Sequence, residues 1–220
     1  MRIVIAGGHG QIALRLTRLL STRHEVVGLI RNPDHRDDVV AAGGEAEVID
    51  LETADTDVVA TVLQSADAAV FAAGAGPGSG VARKETVDRG AAALLGQACE
   101  EAAVRRHVQI SSMGVDRADD PDLDEVMAAY LRAKGAAEAD LRGRDLDWTV
   151  LRPGRLTNDD PTGRVELGAS TGYGEVSRDD VAAVIAALLE TGAGSRQTLQ
   201  AVGGDTPIND AVAAFGTSGS

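Results

Sequence analysis

The chain has 220 residues, 44% of them hydrophobic, enough to bury one sizeable core, and only 2% are aromatic, so that core is built from Val, Leu, Ile and Ala. With 34 acidic against 21 basic residues the formal net charge is −13, which repels phosphate backbones and anionic lipid and excludes nucleic acid as an expected partner. No apolar stretch approaches the ~18 residues of a bilayer span and the first residues carry no signal-peptide pattern, so a cytoplasmic protein with no membrane role is expected.

Residues 2–6 read as a strand, β-branched at Ile3, Val4 and Ile5, and run into Gly7-Gly8-His9-Gly10-Gln11-Ile12-Ala13. A helix over 11–21 follows, with Ile12, Leu16, Leu19 and Leu20 spaced to face a sheet, and then a second strand over 25–30. Gly7 suits the tight turn out of the strand. Gly10 lacks the Cβ that would keep backbone amides and the helix N-terminus away from a pyrophosphate, and Ala13 lets the helix lie close on the strand. A glycine turn alone is weak evidence, but this one leaves a strand, opens a helix and sits in a βαβ unit of about 30 residues, the context of a dinucleotide site. Gly7, Gly8, His9, Gly10, Gln11 and Ile12 are the expected phosphate-binding residues. His9 reads as a phosphate neighbour or a solvent-facing filler, with no partner evident to orient it.

The second strand ends without the Asp or Glu that would accept from an adenosine ribose 2′-hydroxyl; Arg31 stands there instead. A guanidinium suits a 2′-phosphate, so NADP is expected over NAD.

Alternation continues with a helix at 36–42, strand 45–49, helix 57–63, strand 68–72, helix 85–103, strand 107–111, helix 123–142, strand 147–152, helix 178–190 and strand 197–202. This pattern describes an α/β fold with a doubly wound parallel sheet and right-handed crossovers, a single domain over 1–215 with a small extension on the substrate side; 216–220 reads as a disordered tail. Two stretches interrupt it. Gly74-Ala75-Gly76-Pro77-Gly78-Ser79-Gly80 follows the fourth strand, where an open parallel sheet reverses its order and ligands bind, and 158–175 is expected to form a short hairpin or lid. Arg83 and Lys84, after the glycine loop, are placed to reach an anionic substrate or phosphate but read more simply as a solvated basic pair, and Asp179 and Asp180 as charges suited to a helix N-terminus.

Cys99 is the only cysteine and falls in an apolar pattern, so it reads as a core residue. The histidines, at 9, 24, 35 and 107, have no metal-ligand spacing, and no metal is expected.

The fifth strand ends in Ile110-Ser111-Ser112-Met113-Gly114, which sets a serine hydroxyl at the carboxyl edge of the sheet. Tyr130 and Lys134 follow, one helical turn apart on one face. An ammonium beside a phenol favours its ionised form, and the same lysine can reach a nicotinamide ribose. Ser112 is expected to bind a substrate carbonyl oxygen while Tyr130 moves its proton, making Ser112, Tyr130 and Lys134 the catalytic set.

The glycine turn, Phe71-Ala72-Ala73-Gly74, Val87-Asp88, the Gln109 to Gly114 segment, Tyr130 to Lys134, and Asp147-Trp148-Thr149-Val150-Leu151-Arg152-Pro153-Gly154 together resemble the short-chain dehydrogenase/reductase superfamily over nearly the whole chain. The resemblance is narrower to its compact, atypical NAD(P)H-binding branch, which includes NmrA-like and biliverdin reductase B-like proteins. It implies a Rossmann-like fold and cofactor contacts from Asp50 and Leu51 beside the adenine, from Ala72, Ala73, Gly74 and Ser111, and from Pro153 and Gly154 on the nicotinamide side. The expected function is an NADP-dependent oxidoreductase acting on a small carbonyl, quinone or flavin-like substrate, as a monomer or homodimer. Alternatives are a non-catalytic NADP-binding redox sensor and an NAD(P)-dependent epimerase or dehydratase.

Overall fold

The computed structural model describes residues 1–76 and 78–216. Strands and helices alternate from β1 (Arg2–Ala6) through α1 (Gln11–Leu20), β2 (Glu25–Ile30), α2 (Arg36–Ala41), β3 (Glu45–Val48), α3 (Thr56–Leu63) and β4 (Ala68–Phe71). Next comes one long helical run: α4 (Val81–Arg83), a π-helical stretch over Lys84–Ala91, and α5 (Ala92–Glu101). The chain continues through β5 (Arg106–Ile110), α6 (Glu125–Arg142), β6 (Asp147–Pro153), β7 (Arg155–Thr157), β8 (Arg164–Gly168), β9 (Glu175–Ser177), α7 (Arg178–Thr191), β10 (Gln197–Gly203), β11 (Thr206–Pro207) and α8 (Ile208–Ala213).

Nine strands form the main sheet in the order β11-β8-β10-β6-β5-β4-β1-β2-β3. The seven from β10 to β3 are parallel, and the central ones are continuously buried; Ile3, Val4 and Ile5 of β1 are all 0% exposed, because helices cover both faces. Ile3 and Ile5 pack with Leu16 of α1 and Val181 and Ile185 of α7, whereas Val4 packs on the other side with Leu63 of α3, Leu95 of α5 and Leu141 of α6. From β1 the order runs outward to β2 and β3, then returns to β4 on the other side. The carboxyl ends of β1 and β4, aligned at Ala6 and Phe71, therefore flank the crevice.

The segment 158–175 is not the expected hairpin. β8 joins the main sheet antiparallel to β10, with Val165 wholly buried, while β7 and β9 pair in parallel as a separate two-stranded ribbon. Asp180 is also more than a charge suited to a dipole. Ser177 caps α7, and the buried Asp180 carboxylate accepts from the Thr162 and Gly163 amides and the Ser177 hydroxyl, tying the turn before β8 to the helix. Asp179 pairs with Arg15 of α1. Residues 217–220 of the expected tail lie outside the described residues.

Candidate functional site

The site begins where β1 ends. Gly7 has φ +79°, and a Cβ there would come within 2.6 Å of the Ala73 Cα, so the turn needs glycine for both conformation and contact. Gly8 packs against β2: a Cβ would meet the Gly28 Cα at 2.6 Å, and its amide donates to the Leu29 carbonyl. α1 starts with Gly10 as its cap, with no side-chain cap and no acidic residue in the first turn. Its first amides thus keep the positive end of the helix dipole free of any competing side chain. This is the environment a pyrophosphate takes.

On one side of the turn lies a cleft of about 270 Å³, bounded by Gly7, His9, Gly10, Arg31, Asn32, His35, Asp50, Leu51 and Ala72 to Ala75. Arg31 Nη1 donates to Glu52 at 2.9 Å, and Glu52 also accepts from Arg83 at 2.7 Å and from the Thr86 hydroxyl at 2.6 Å. The Arg83 hydrogen bond, aided by Thr86 and the two guanidinium charges, holds the Glu52 carboxyl below its ordinary range despite burial. The Asp50 carboxylate accepts from the Glu52 amide and fixes that turn. His9 does have orienting partners: its Nε2 lies 2.8 Å from Asp38, and its ring stacks on His35 with centroids 3.6 Å apart.

Ala72 to Ala75 also form a wall of a second pocket, of about 510 Å³, lined by Ile12, Lys84, Asp88, Ser111, Tyr130 and Lys134. Tyr130, Lys134 and Glu138 follow one another at four-residue intervals along one face of α6. Lys134 is buried; its Nζ lies 3.2 Å from Asp88 Oδ1, donates to the Ile110 carbonyl at 3.2 Å, and sits 5.9 Å from the Tyr130 ring centroid. Asp88 Oδ2 accepts from the Ala75 amide, whereas Oδ1 has no hydrogen-bond partner among the described residues. That oxygen is fully buried and faces the Lys134 ammonium as its counter-charge.

The expected solvated basic pair is split: Arg83 keeps a 39% exposed side chain, and Lys84 is nearly closed off from solvent. Arg83 is bound to Glu52, and Lys84 is buried, donating to the Gly76 carbonyl with its ammonium 5.3 Å from the Tyr130 centroid. The Ser111 hydroxyl is committed to Glu138 at 2.6 Å, and Glu138, wholly buried, is clamped by Arg152 and Arg142. This network anchors the end of β5 to α6.

A third pocket, of about 510 Å³, adjoins the second at Tyr130 and Met127 and is lined by Ser112, Met113, Pro153, Gly154 and Tyr173. The Ser112 hydroxyl donates to the Met113 carbonyl at 3.1 Å.

The structure therefore places Gly7, His9, Gly10, Arg31, Asp50 and Leu51 around the first cleft and Ile12, Ser111, Tyr130 and Lys134 around the second, the two sharing Ala72, Ala73 and Gly74, and sets Ser112, Pro153 and Gly154 around the third, which shares Tyr130 with the second. Gly8 and Gln11 line none of these pockets. Glu52, Glu138 and Tyr173 were not singled out from the sequence as site residues, and Lys84 was set aside as solvated; the four-residue spacings of Lys84 to Asp88 and of Lys134 to Glu138 were the available signal. Among the described residues no group of three or more His, Cys, Asp or Glu side chains is placed to hold a metal ion, and no helix is long and apolar enough to cross a membrane.

A family model described as NAD(P)H-binding matches residues 7–192. A Bacillus subtilis protein named as the uncharacterized sugar epimerase YhfK is 30% identical over 214 residues, spanning 96% of this chain and 99% of its own. Among solved structures, a Bacillus halodurans protein provisionally named an NAD-dependent epimerase/dehydratase superposes with TM-score 0.89 at 32% identity, covering 97% of this chain and 99% of that one. ChuY, named as an anaerobillin reductase from Escherichia coli O157:H7, superposes with TM-score 0.76 at 26% identity over 93% of this chain and 98% of that one.

Proposed function

Because the chain belongs to the NAD(P)H-binding family, in the atypical branch of the short-chain dehydrogenases/reductases, we propose that it is an NADP-dependent oxidoreductase acting on a small carbonyl, quinone or flavin-like substrate. The observation that carries this reading is the succession of three pockets with shared walls. The first holds Arg31 and the glycine turn, the second shares Ala72 to Ala75 with it and holds Tyr130 and Lys134, and the third shares Tyr130 with the second.

When bound, the nicotinamide supplies or accepts a hydride. The α1 N-terminus would hold the pyrophosphate, Arg31 with Asn32 and His35 the 2′-phosphate, and Lys134, held in place by Asp88, the nicotinamide ribose. Tyr130 passes a proton to the substrate oxygen, or takes it in the reverse direction, while the Ser112 hydroxyl, turning from the Met113 carbonyl, donates a hydrogen bond to that oxygen and Pro153 and Gly154 bound the pocket. The E. coli relative's name supports reduction as the net reaction.

The test is oxidation of NADPH and NADH by purified protein across a panel of quinones, carbonyls and free flavins. NADPH oxidation with a member of the panel, preferred over NADH, is expected. No oxidation with any member, together with no calorimetric binding of NADPH, overturns the reading.

The names of the two Bacillus relatives favour a second reading, an NAD(P)-dependent epimerase or dehydratase, in which the same tyrosine and lysine act on a sugar carbon and cofactor is regenerated. Stoichiometric consumption of NADPH separates the two.

A further inference from the structure

Lys84 is 8% exposed, yet among the described residues no carboxylate forms an ion pair with it. Its ammonium has one hydrogen bond, to the Gly76 carbonyl at 3.1 Å, and lies against the Tyr130 ring, 5.3 Å from the centroid. An ammonium carries three donors, so two remain, in the wall of the pocket that Tyr130 and Ser111 also line.

Lys134 shows the contrast. Asp88 supplies its counter-charge at 3.2 Å, so of the three buried charged groups lining this pocket, Lys84, Asp88 and Lys134, the last two balance and Lys84 is left over. A carbonyl and a ring face are weak compensation for a desolvated ammonium. Lys84 opens the π-helical stretch, a rare geometry that recurs at functional sites.

We propose that Lys84 binds an anionic oxygen of a ligand, with the substrate class being acceptors that carry a carboxylate or an acidic enol beside the group that Tyr130 protonates. The substrate half of this inference rests on the oxidoreductase reading. The cofactor's phosphates offer the same chemistry, and one experiment separates the two sources.

The full chain is titrated in the calorimeter with 2-naphthoate, with 2-naphthamide and with NADPH, each separately, as wild type, Lys84→Met and Lys84→Arg. Wild type is expected to prefer naphthoate over naphthamide by about tenfold, a preference that Lys84→Met abolishes and Lys84→Arg retains. Loss of NADPH affinity in Lys84→Met with the naphthoate preference intact supports the anion site and assigns it to the cofactor. No naphthoate preference in wild type, together with unchanged NADPH affinity in Lys84→Met, overturns it. If NADPH binds no variant, the oxidoreductase reading fails while the naphthoate comparison still decides the role of Lys84. Lys84→Gln, which removes the charge but keeps a polar end, is titrated beside them and is expected to lose the preference as Lys84→Met does, so a fold lost in Lys84→Met does not block the test.

Discussion

Asp88 Oδ1 and Lys134 Nζ lie 3.2 Å apart with side chains 0% and 5% exposed, yet that oxygen accepts no hydrogen bond. The two are close enough for charge attraction but not aligned for a directed bond, and the lysine spends a donor on the Ile110 carbonyl instead. Removing one member of a buried pair strands the other charge away from water. Asp88→Asn is therefore expected to lower stability by about 3 kcal/mol. Asp88→Asn combined with Lys134→Met should recover a good part of that loss, because no charge is left stranded. Urea denaturation of the two singles and the double closes the cycle; additive losses would show that the pair is not coupled.

Arg31 and Glu52 set up a second measurement. The Arg31 side chain is 54% exposed, so its ion pair with Glu52 contributes little to folding and the guanidinium is free to exchange partners. Arg31→Asp is expected to weaken NADPH by roughly tenfold to a hundredfold and to leave NADH nearly unchanged. Glu52→Gln should act in the opposite direction, tightening NADPH a few-fold, since Glu52 competes with a phosphate for Arg31. Equal losses for both cofactors in Arg31→Asp would refute a 2′-phosphate role.

Tyr130→Phe removes the hydroxyl and keeps the ring on which Lys84 and Lys134 rest. A proton-transfer role predicts a fall in kcat of about 10²- to 10³-fold with NADPH affinity within about twofold of wild type. Ser112→Ala removes the hydroxyl that donates to the Met113 carbonyl here and to the substrate oxygen in the proposed reaction, and should cost about ten- to a hundredfold in kcat. Steady-state kinetics paired with direct cofactor titration reads both; a Tyr130→Phe enzyme with full kcat would leave Tyr130 as a wall of the pocket.

Local periodicity made the first βαβ unit legible: Ile3 to Ile5, the glycine turn and the Leu16 and Leu20 spacing are all written within 20 residues. The burial of Lys84 was not legible, because it depends on Tyr130 and Gly76, and Arg83 is drawn off by Glu52 from 31 residues away. The π turn at Lys84–Ala91 leaves no simple mark in an apolar pattern of three- and four-residue spacings. β8 was hidden for another reason. Its alternation, Arg164-Val165-Glu166-Leu167, is short and set among Gly, Thr and Asp, and its place beside β10 comes from a pairing across more than 30 residues. α8 was missed outright, although Ile208, Ala211 and Val212 are the buried face of a single helical turn and its neighbour.

His107 carries the pH dependence. It lies wholly buried in β5, its Nδ1 3.6 Å from Cys99 Sγ and its Nε2 without a partner among the described residues. Burial, reinforced by the charge of Arg144, pushes the imidazole pKa down to about 4. In the unfolded chain the same group titrates near its ordinary ~6.5, so between those two values the unfolded state binds the extra proton and stability falls as pH drops through the window. From pH 8 to pH 5 the loss expected from this one residue is about 2 kcal/mol. Cys99 adds nothing there, because burial lifts its thiol to about 12 and it stays protonated throughout. Urea midpoints measured from pH 8 to pH 5 should decline in wild type and decline less in His107→Leu, whatever the absolute stability of the variant; the same slope in both would show that the buried imidazole is not the titrating group.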